Sequence, residues 1–348
     1  MDDVKAMILA AGLGTRLRPF TDELPKPLLP VAHRPQIEFV LELLRLSGVT
    51  DVVINLHQLA EPIRSRLGAR YRDLLRIDYS VETELLGTGG GLKKVEDFFN
   101  EDPFILINAD TLMDLDLEGA IRRHIESGAA ATMVVREWEE GAGLGRVEMD
   151  EEGRIRRMLE RGAGEGLTPV IFTGVHVLSR KIFDYLPAAR FSCINRDGYR
   201  AMLEAGERVF GFRASGYWRD VGTLASYFDA NMDLIHGRMP ACAERLVAPG
   251  RETDYGAAMP GVEFVPPVIM GRGCRIERGC RIGPAVVLGD CCHVGGGCRL
   301  ERVVALSRAA FHSGELVNGC IRSEAASVSV CARGCEQGRV DRGVVDKR

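Results

Sequence analysis

The chain has 348 residues, 46% of them hydrophobic and 27% charged, which is typical of a globular protein long enough for two domains. Its formal net charge of −4 leaves no basic footprint, so we expect neither nucleic acid nor a membrane surface among its partners. No stretch approaches the roughly 18 apolar residues of a membrane span, and the acidic start does not resemble a signal peptide, so we expect a cytoplasmic protein.

Strand and helix patterns alternate along the first part of the chain. A buried strand is predicted at residues 4–10, and an amphipathic helix at 37–47 is closed by Gly48. Further strands are predicted at 51–56, 77–81, 103–110 and 130–135, and further helices at 59–69, 90–99 and 117–127. This alternation predicts an α/β, Rossmann-like domain with an open, mostly parallel sheet, in which ligands bind at the carboxyl ends of the strands.

The pattern changes after residue 238. Residues 239–262 are rich in Pro, Gly and Ala and predict a linker. Beyond it an aliphatic residue recurs every six positions: Met270, Ile276, Ile282, Leu288, Val294, Leu300 and Leu306. A second column stands two positions earlier in each repeat: Val268, Cys274, Cys280, Val286, Cys292, Cys298 and Val304. These columns predict a left-handed hexapeptide-repeat β-helix, which divides the chain into domains at 1–238 and 263–348.

Four of the ten cysteines belong to the inward column of the predicted β-helix, where a free thiol behaves as a compact hydrophobe. The paired CxxC spacing of a zinc site is missing, so we expect no metal on these cysteines. His293 and His312 leave open an acyltransferase activity in the β-helix, although His293 stands between two inward columns and is predicted to face solvent.

The densest motif is LAAGLGTRLRPFTDELPKPLLPV at residues 9–31. Gly12 and Gly14 follow a strand and let backbone amides approach phosphate oxygens, while Arg16 adds a charged donor. Leu17 stands where a dinucleotide-binding GxGxxG loop has its third glycine, and no GK[ST] of the Walker type follows. Four prolines between residues 19 and 30 also exclude the long helix of a dinucleotide-binding fold.

This segment resembles the signature of the sugar-1-phosphate nucleotidyltransferases, also called nucleotide-sugar pyrophosphorylases. The resemblance implies that the glycine loop and its arginine hold the nucleoside triphosphate, and that the lysine of PKP contacts phosphate. The residues concerned are Ala11, Gly12, Gly14, Thr15, Arg16 and Lys26. A lysine between two prolines has a restricted backbone, which agrees with a fixed contact.

Three later motifs follow in the order of that family. GTGGG at 87–91 resembles the loop beside the base and ribose, which makes Gly87 and Thr88 nucleotide-binding residues by resemblance. NAD at 108–110 and YWRDVGT at 217–223 resemble the segments that carry the two metal-binding aspartates.

The resemblance therefore implies Mg²⁺ as cofactor, held by Asp110 and Asp220. Two carboxylates plus substrate phosphates are a ligand set that magnesium prefers. Ala109 replaces the glycine that the family has between the asparagine and the aspartate.

Sugar 1-phosphate binding is assigned by the same resemblance to Glu160, Arg161 and Gly174. Glu160 would contact sugar hydroxyls, and Arg161 stands where the family usually has a lysine on the sugar phosphate. FTGVHVL at 172–178 resembles the strand whose glycine lines the sugar pocket.

The implied reaction is an in-line displacement in which a sugar 1-phosphate oxygen attacks the α-phosphorus of the triphosphate and pyrophosphate leaves. Both substrates are highly anionic, so the protein must chiefly orient them and offset their repulsion. Arg16, Lys26 and Asp110 are then the catalytic residues. The expected partners are the nucleoside triphosphate, the sugar 1-phosphate and further copies of the chain, because the flat faces of a β-helix suit a homo-oligomer.

The base and the sugar stay open. The chain is similar to the mannose-1-phosphate guanylyltransferases in layout and to the N-acetylmuramate 1-phosphate uridylyltransferases in its first motifs. Glu82 or Glu84, shortly before GTGGG, would accept from guanine N1–H and N2–H₂, which favours GTP with mannose 1-phosphate or a related hexose or heptose. The alternatives are a uridylyl- or thymidylyltransferase acting on N-acetylmuramate or glucose 1-phosphate, and a non-catalytic regulatory homologue that binds a nucleotide sugar.

Overall fold

The structure, a computed structural model, describes residues 4–138, 146–158, 164–238, 259–330 and 340–341. The chain forms two compact units. The first unit comprises Met1–Leu13 and Val40–Asp220, and the second comprises Gly14–Phe39 and Val221–Arg348. Most of the predicted linker lies outside the described residues, and the domain limits at 238 and 263 stay predictions.

In chain order, the strands up to residue 220 are β1 (Ala6–Leu9), β2 (Pro30–Val31), β3 (Arg34–Pro35), β4 (Asp51–Leu56), β5 (Arg76–Val81), β6 (Phe104–Asn108), β7 (Thr111–Met113), β8 (Ala131–Glu137), β9 (Arg146–Met149), β10 (Ile155–Met158), β11 (Thr168–Leu178), β12 (Val209–Arg213) and β13 (Trp218–Asp220). The helices are α1 (Gln36–Leu46), α2 (Ala60–Tyr71), α3 (Gly87–Lys94), α4 (Leu117–Ser127), α5 (Tyr199–Glu204) and α6 (Leu224–Ile235). The remaining strands are β14 (Glu263–Phe264), β15 (Val268–Met270), β16 (Arg275–Ile276), β17 (Arg281–Ile282), β18 (Val286–Leu288), β19 (His293–Val294), β20 (Arg299–Ala305), β21 (Ala310–Phe311), β22 (Leu316–Arg322), β23 (Ser327–Ser329) and β24 (Val340–Asp341).

The first unit is built on a nine-stranded sheet in which β6, β1, β4 and β5 are adjacent and parallel. β1, β4 and β6 carry apolar runs, as expected of strands buried on both faces, whereas β5 is only partly buried. The prediction of a Rossmann-like α/β domain with a parallel sheet is confirmed for this part. β11 departs from it, because it runs antiparallel to β6, β8 and β9.

Most predicted helices agree with the structure to within two residues, and α4 agrees at both ends. The helix predicted at 90–99 instead begins at Gly87 and ends at Lys94, followed by a 3-10 turn at Glu96–Phe98. The predicted start at residue 90 was three residues late, because glycine has a low helix propensity and the segment opens with Gly87 and Gly89. Within the described residues, no helix combines the length and the apolar character that crossing a membrane requires.

In the second unit, the PKPLLPV part of the signature forms a hairpin of β2 and β3 that is tied to α6. Asn231 of α6 is fully buried and its Oδ1 accepts from the amide of Ala32 at 3.0 Å. The hydroxyl of Tyr227 donates to the carbonyl of Pro30 at 2.6 Å. Two buried side chains of one helix thus fix the turn that follows the signature.

From β14 to β22 the C-terminal strands pair in parallel at regular separations along the chain, whereas β23 pairs antiparallel with β22 and β24. The first partners are eighteen residues apart, as Val268 is from Val286 in β15 and β18. β17 and β20 keep this separation between Ile282 and Leu300, and for partners beyond Leu300 the separation is seventeen, as Val286 is from Val303 and Val294 is from Phe311. These pairings make the C-terminal part a strand-rich structure with apolar columns inside.

The six-residue columns hold as predicted to Leu300 but not to Leu306, which corrects the sequence prediction. The core beyond Leu300 is completed by Val303 and Ala305 rather than by Val304 and Leu306. Arg302 adopts a φ of 49° and its amide donates to the carbonyl of Pro284 at 3.0 Å, so the chain turns here with one residue fewer.

The inward cysteines act as hydrogen-bond donors as well as small apolar groups. The thiols of Cys280, Cys292 and Cys298, at most 2% exposed, donate to carbonyls at 2.9–3.3 Å. Cys274 is only partly buried, and its thiol donates to Gly289 at 3.1 Å. These bonds give each buried thiol a hydrogen-bond acceptor. His293 is exposed, as predicted.

Two buried histidines make the folded state sensitive to acid. Burial lowers the pKa of His124 to about 4 and that of His176 to about 3. The unfolded chain keeps both groups near 6.5, so below that pH it binds more protons than the folded chain. We expect the free energy of unfolding to fall as the pH drops from 6.5 towards 4, by roughly 1.4 kcal/mol per pH unit for each histidine.

Urea unfolding at pH 7 and pH 5.5 measures this loss. The variant His124→Gln, which keeps a polar group near Thr132, should show a smaller difference between the two pH values. Equal stability of the wild-type protein at both pH values would contradict the assignment of buried neutral histidines.

Candidate active site

The carboxyl end of β1 lies between two asparagines on the neighbouring parallel strands. Leu9, the last residue of β1, is in register with Asn55 of β4 and with Asn108 of β6. The amide of Ala109 donates to the carbonyl of Leu9 at 3.1 Å. Because ligands of open α/β sheets bind at this edge, the loops that follow these three strands define the candidate site of the first unit.

Strand pairing brings the two predicted metal-binding aspartates together. β7 begins at Thr111, directly after Asp110, and runs antiparallel to β13 with Asp220 as the partner of Thr111. The indole Nε1 of Trp218 donates to the carbonyl of Thr173 at 3.0 Å, which ties β13 to β11 as well. Two residues far apart in the sequence thus stand side by side at the carboxyl edge of the sheet.

Gly174 lies at the same place and must be glycine. Its φ is 91°, a region that residues with a side chain rarely adopt. A Cβ atom there would lie 2.7 Å from Nδ2 of Asn108 and 3.1 Å from Oγ1 of Thr111. The structure therefore brings Gly174 to the aspartate pair. Glu160 and Arg161, the other residues predicted for the sugar 1-phosphate, lie outside the described residues.

The aspartate pair fits magnesium by the chemistry of its donors. Nowhere in the described parts of the chain do three or more His, Cys, Asp or Glu side chains form a group that could hold a metal. Magnesium commonly takes one or two carboxylates and completes its octahedron with water and phosphate oxygens. Asp110 and Asp220 are the residues that would hold it.

Glu82 is connected to the loop after β1 through a residue that the sequence analysis missed. It is 2% exposed, and Oε1 accepts from Nδ2 of Asn55 at 2.8 Å. Oε2 accepts from the amide of Leu86 at 3.0 Å, and the Nδ1 of His57 donates to the carbonyl of Glu82 at 2.8 Å. Asn55 and His57 could have been found as polar residues at the end of a buried strand. Base recognition by Glu82 stays a prediction.

The GTGGG segment opens α3 and is packed against a later part of the chain. The amide of Gly89 donates to the carbonyl of Ser192 at 2.9 Å, and a Cβ on Gly89 would lie 2.7 Å from the Ser192 hydroxyl. Thr88 Oγ1 accepts from the amide of Ile194 at 2.9 Å. Close packing thus explains glycines of this run, and nucleotide binding by Gly87 and Thr88 stays a prediction.

Gly12 differs from these glycines. It is exposed, and a Cβ atom built on it would meet nothing within 4 Å. Packing within the described structure does not require a glycine here. This open space is consistent with the predicted role of the motif, which is to let a ligand approach the backbone of Ala11 and Gly12.

In the second unit, the signature closes on itself around Gly14. Gly14 has a φ of 63°, and the hydroxyl of Thr21 donates to its carbonyl at 2.9 Å. A Cβ on Gly14 would lie 3.0 Å from the Cβ of Lys26. The structure therefore brings together two residues that the resemblance assigns to the triphosphate.

Thr15 and Arg16 lie on a 3-10 helix, Thr15–Leu17, that follows Gly14. Both are exposed, whereas Leu17 is fully buried and anchors the helix. Arg16 is thus presented to solvent by a fixed backbone, as a phosphate-binding arginine requires.

Comparison with known proteins agrees with this geometry. A family model described as "Nucleotidyl transferase" matches residues 5–237, and one described as "GMPPB C-terminal domain" matches residues 264–337. The chain therefore belongs to the nucleotidyl transferase family, a family of enzymes, and its resemblance to the sugar-1-phosphate nucleotidyltransferases is confirmed.

Its relatives differ in base and sugar. The UTP–glucose-1-phosphate uridylyltransferase of Synechocystis sp. is 33% identical over 304 residues, which are 81% of this chain and 77% of that protein. The mannose-1-phosphate guanylyltransferase of Mycobacterium tuberculosis is 29% identical over 281 residues, 80% of this chain and 78% of that protein. The solved structure of HddC from Yersinia pseudotuberculosis complexed with GMP-PN is 25% identical, with a TM-score of 0.58, and covers 67% of this chain and 100% of its own.

Proposed function

We propose that this enzyme transfers a guanylyl group from GTP to mannose 1-phosphate or a closely related sugar 1-phosphate, giving a GDP-sugar and pyrophosphate. The observation that carries this proposal is the match of residues 264–337 to the "GMPPB C-terminal domain" beside the nucleotidyl transferase match, in a chain whose relatives include several mannose-1-phosphate guanylyltransferases. The guanylyltransferase from Mycobacterium tuberculosis supports it, because the similarity spans both parts of the chain.

The residues of the chain bind and orient the substrates. Amides of Ala11 and Gly12, together with Arg16 and Lys26, hold the triphosphate and neutralise the pyrophosphate as it leaves. Arg161 binds the sugar phosphate, whose oxygen is already ionised at neutral pH, so no general base is needed. Charge neutralisation and alignment are therefore the main catalytic contributions in this proposal.

Asp110 and Asp220 hold a magnesium ion in this proposal, and Gly174, which the family resemblance assigns to the sugar pocket, lies beside them. When bound, the ion neutralises charge on the phosphates. To hold the ion, both aspartates must be ionised and must lie next to each other. The pairing of β7 with β13 supports the second condition.

A second candidate is uridylyl transfer from UTP to glucose 1-phosphate. The relative from Synechocystis sp. favours it, at 33% identity over 304 residues.

We further propose that the C-terminal strands form a left-handed hexapeptide-repeat β-helix that serves self-association. The eighteen-residue separation of Val268 and Val286 supports the β-helix, because three six-residue repeats would make one coil. The cytoplasmic location stays a prediction.

A screen of pyrophosphate release tests the proposed function. The full-length protein is incubated with Mg²⁺ and each pair of a nucleoside triphosphate (ATP, GTP, UTP or dTTP) with glucose, mannose or N-acetylated sugar 1-phosphates. GTP with mannose 1-phosphate is expected to give a kcat/KM at least roughly tenfold above any other pair. A maximum with UTP and glucose 1-phosphate selects the second candidate, and no turnover with any pair favours a regulatory homologue.

A further inference from the structure

A buried amide–carboxylate pair connects two loops of the first unit. Asn55 and Glu82 are 3% and 2% exposed, and Nδ2 of Asn55 donates to Oε1 of Glu82 at 2.8 Å. A buried carboxylate is costly unless it is hydrogen-bonded, and both oxygens of Glu82 have a donor, Nδ2 of Asn55 and the amide of Leu86. The pair lies at the carboxyl end of β4 and just after β5.

Each member of the pair also binds the backbone of a different loop. Oδ1 of Asn55 accepts from the amide of Ala10 at 2.8 Å, at the start of the glycine loop, Ala10–Leu13. Oε2 of Glu82 accepts from the amide of Leu86 at 3.0 Å, at the start of Leu86–Gly91, which forms the first turns of α3 and is called the GTGGG loop after the family motif. Three hydrogen bonds in series thus join the two loops that the family motifs assign to one nucleotide.

The end of the GTGGG loop is fitted to the same pair. A Cβ atom on Gly91 would lie 2.7 Å from Oε1 of Glu82 and 2.9 Å from Nδ2 of Asn55. Because Gly91 has no side chain, α3 can approach the pair this closely. The connection therefore involves both ends of the loop.

We infer that Asn55 and Glu82 are positioning residues that hold the glycine loop and the GTGGG loop at a fixed separation for the nucleoside triphosphate. Glu82 then acts through the amide of Leu86 and not as a direct acceptor from the base. The inference rests on the proposed nucleotidyl transfer. Its test measures nucleotide binding, which does not depend on which sugar 1-phosphate is the substrate.

Exchange of the two side-chain types gives a specific test. Asn55→Asp places a carboxylate against Glu82, and Glu82→Gln places an amide N–H against the amide of Asn55 or removes the acceptor for Leu86. The double variant Asn55→Asp/Glu82→Gln restores all three bonds, since the new aspartate accepts from Ala10 and from the new glutamine, whose oxygen accepts from Leu86.

Each single variant is expected to weaken GTP binding at saturating Mg²⁺ about tenfold by calorimetry and to raise the KM for GTP in parallel, with the KM for the sugar 1-phosphate within twofold. The double variant should return to within threefold of the wild-type values. A loss of folded protein alone would lower the apparent kcat and leave both KM values unchanged. Hydrogen exchange of the amides of Ala10 and Leu86 should rise in the single variants and return in the double variant.

Two outcomes would overturn the inference. The first is a double variant that is folded but no better than the worse single variant. The second is a Glu82→Gln variant that changes the preference between GTP and UTP and keeps that change in the double variant, because Glu82 would then read the base directly. A wild-type protein that binds GTP but uses no sugar 1-phosphate would instead refute the proposed function. The hydrogen-exchange and GTP-binding results of the variants would remain valid.

A glycine pair supplies a second variant with a matched control. Gly91→Ala is expected to weaken GTP binding like the single variants, since its Cβ would press on Asn55 and Glu82. Gly68→Ala lies in α2, where a Cβ meets nothing within 4 Å, and should bind GTP as the wild type does. Equal GTP affinities of the two alanine variants would contradict the fitted contact.

Discussion

Asp110→Asn is expected to lower the kcat for nucleotidyl transfer by roughly 10³-fold, the size of effect found when a key charge-stabilising group is removed from an active site. Asparagine has nearly the same shape but no negative charge, so the proposed magnesium ion loses one of its two protein carboxylates. Asp110 is only partly buried and lies outside β6, so the sheet should keep its stability. Initial rates of pyrophosphate release over a range of Mg²⁺ concentrations measure the effect, and half-saturation should move to higher Mg²⁺.

The matched control for this prediction is Asp78→Asn. Asp78 is an exposed carboxylate on β5 of the same sheet, and its removal changes the net charge by the same amount. It should keep wild-type turnover and wild-type Mg²⁺ dependence. If Asp110→Asn turned over at the wild-type rate at the same Mg²⁺ concentration, the assignment of Asp110 to the metal would be refuted.

The parts of the fold that the sequence predicted well are those set by local periodicity. The helices α1 and α4 show apolar residues with the 3.6-residue period of a helix, and the strand β4 shows a continuous apolar run. Their predicted limits agree with the structure to within a residue. The direction of β11 was not predicted, because whether a strand runs parallel or antiparallel to its neighbours depends on the path of the chain between them.

The C-terminal columns show the same division on a smaller scale. The six-residue pattern placed Ile282, Leu288 and Val294 inside the core, where the structure has them. It did not predict the shift before Val303, because a turn made with one residue fewer at Arg302 leaves no mark in the apolar pattern.

The candidate site divides in another way. Resemblance to a family identified Asp110 and Asp220, which no local pattern connects, and the pairing of β7 with β13 then explains how the two come to lie at one place. Asn55 was not identified, because its importance comes from its partners, Ala10 and Glu82, which lie 45 and 27 residues away. A side chain that positions a loop through hydrogen bonds to distant residues is not part of a recognisable sequence motif.

Arg16→Ala is expected to lower kcat/KM for the nucleoside triphosphate by roughly 10²-fold and to leave the KM for the sugar 1-phosphate within twofold, because a charge-assisted contact to the leaving phosphates is lost. Arg16→Lys should recover part of the activity, since a single ammonium keeps the charge but not the two-pronged geometry. Inorganic tripolyphosphate should inhibit the wild-type enzyme by competing with the nucleotide, and it should inhibit the alanine variant much more weakly.

Arg18 provides the control that separates this role from a general loss of positive charge. It is also exposed, two residues further along the same segment, but its Nε lies 3.1 Å from Asp22 in a surface ion pair. Such pairs contribute about 0–1 kcal/mol, so Arg18→Ala should change neither stability nor kinetics appreciably. Arg16 instead extends its side chain from the surface of the 3-10 helix, which buried Leu17 anchors. Removal of that side chain should therefore affect nucleotide binding and not folding. Equal kinetics of the two alanine variants would show that the signature arginine is an ordinary surface charge and that the triphosphate is held by other groups.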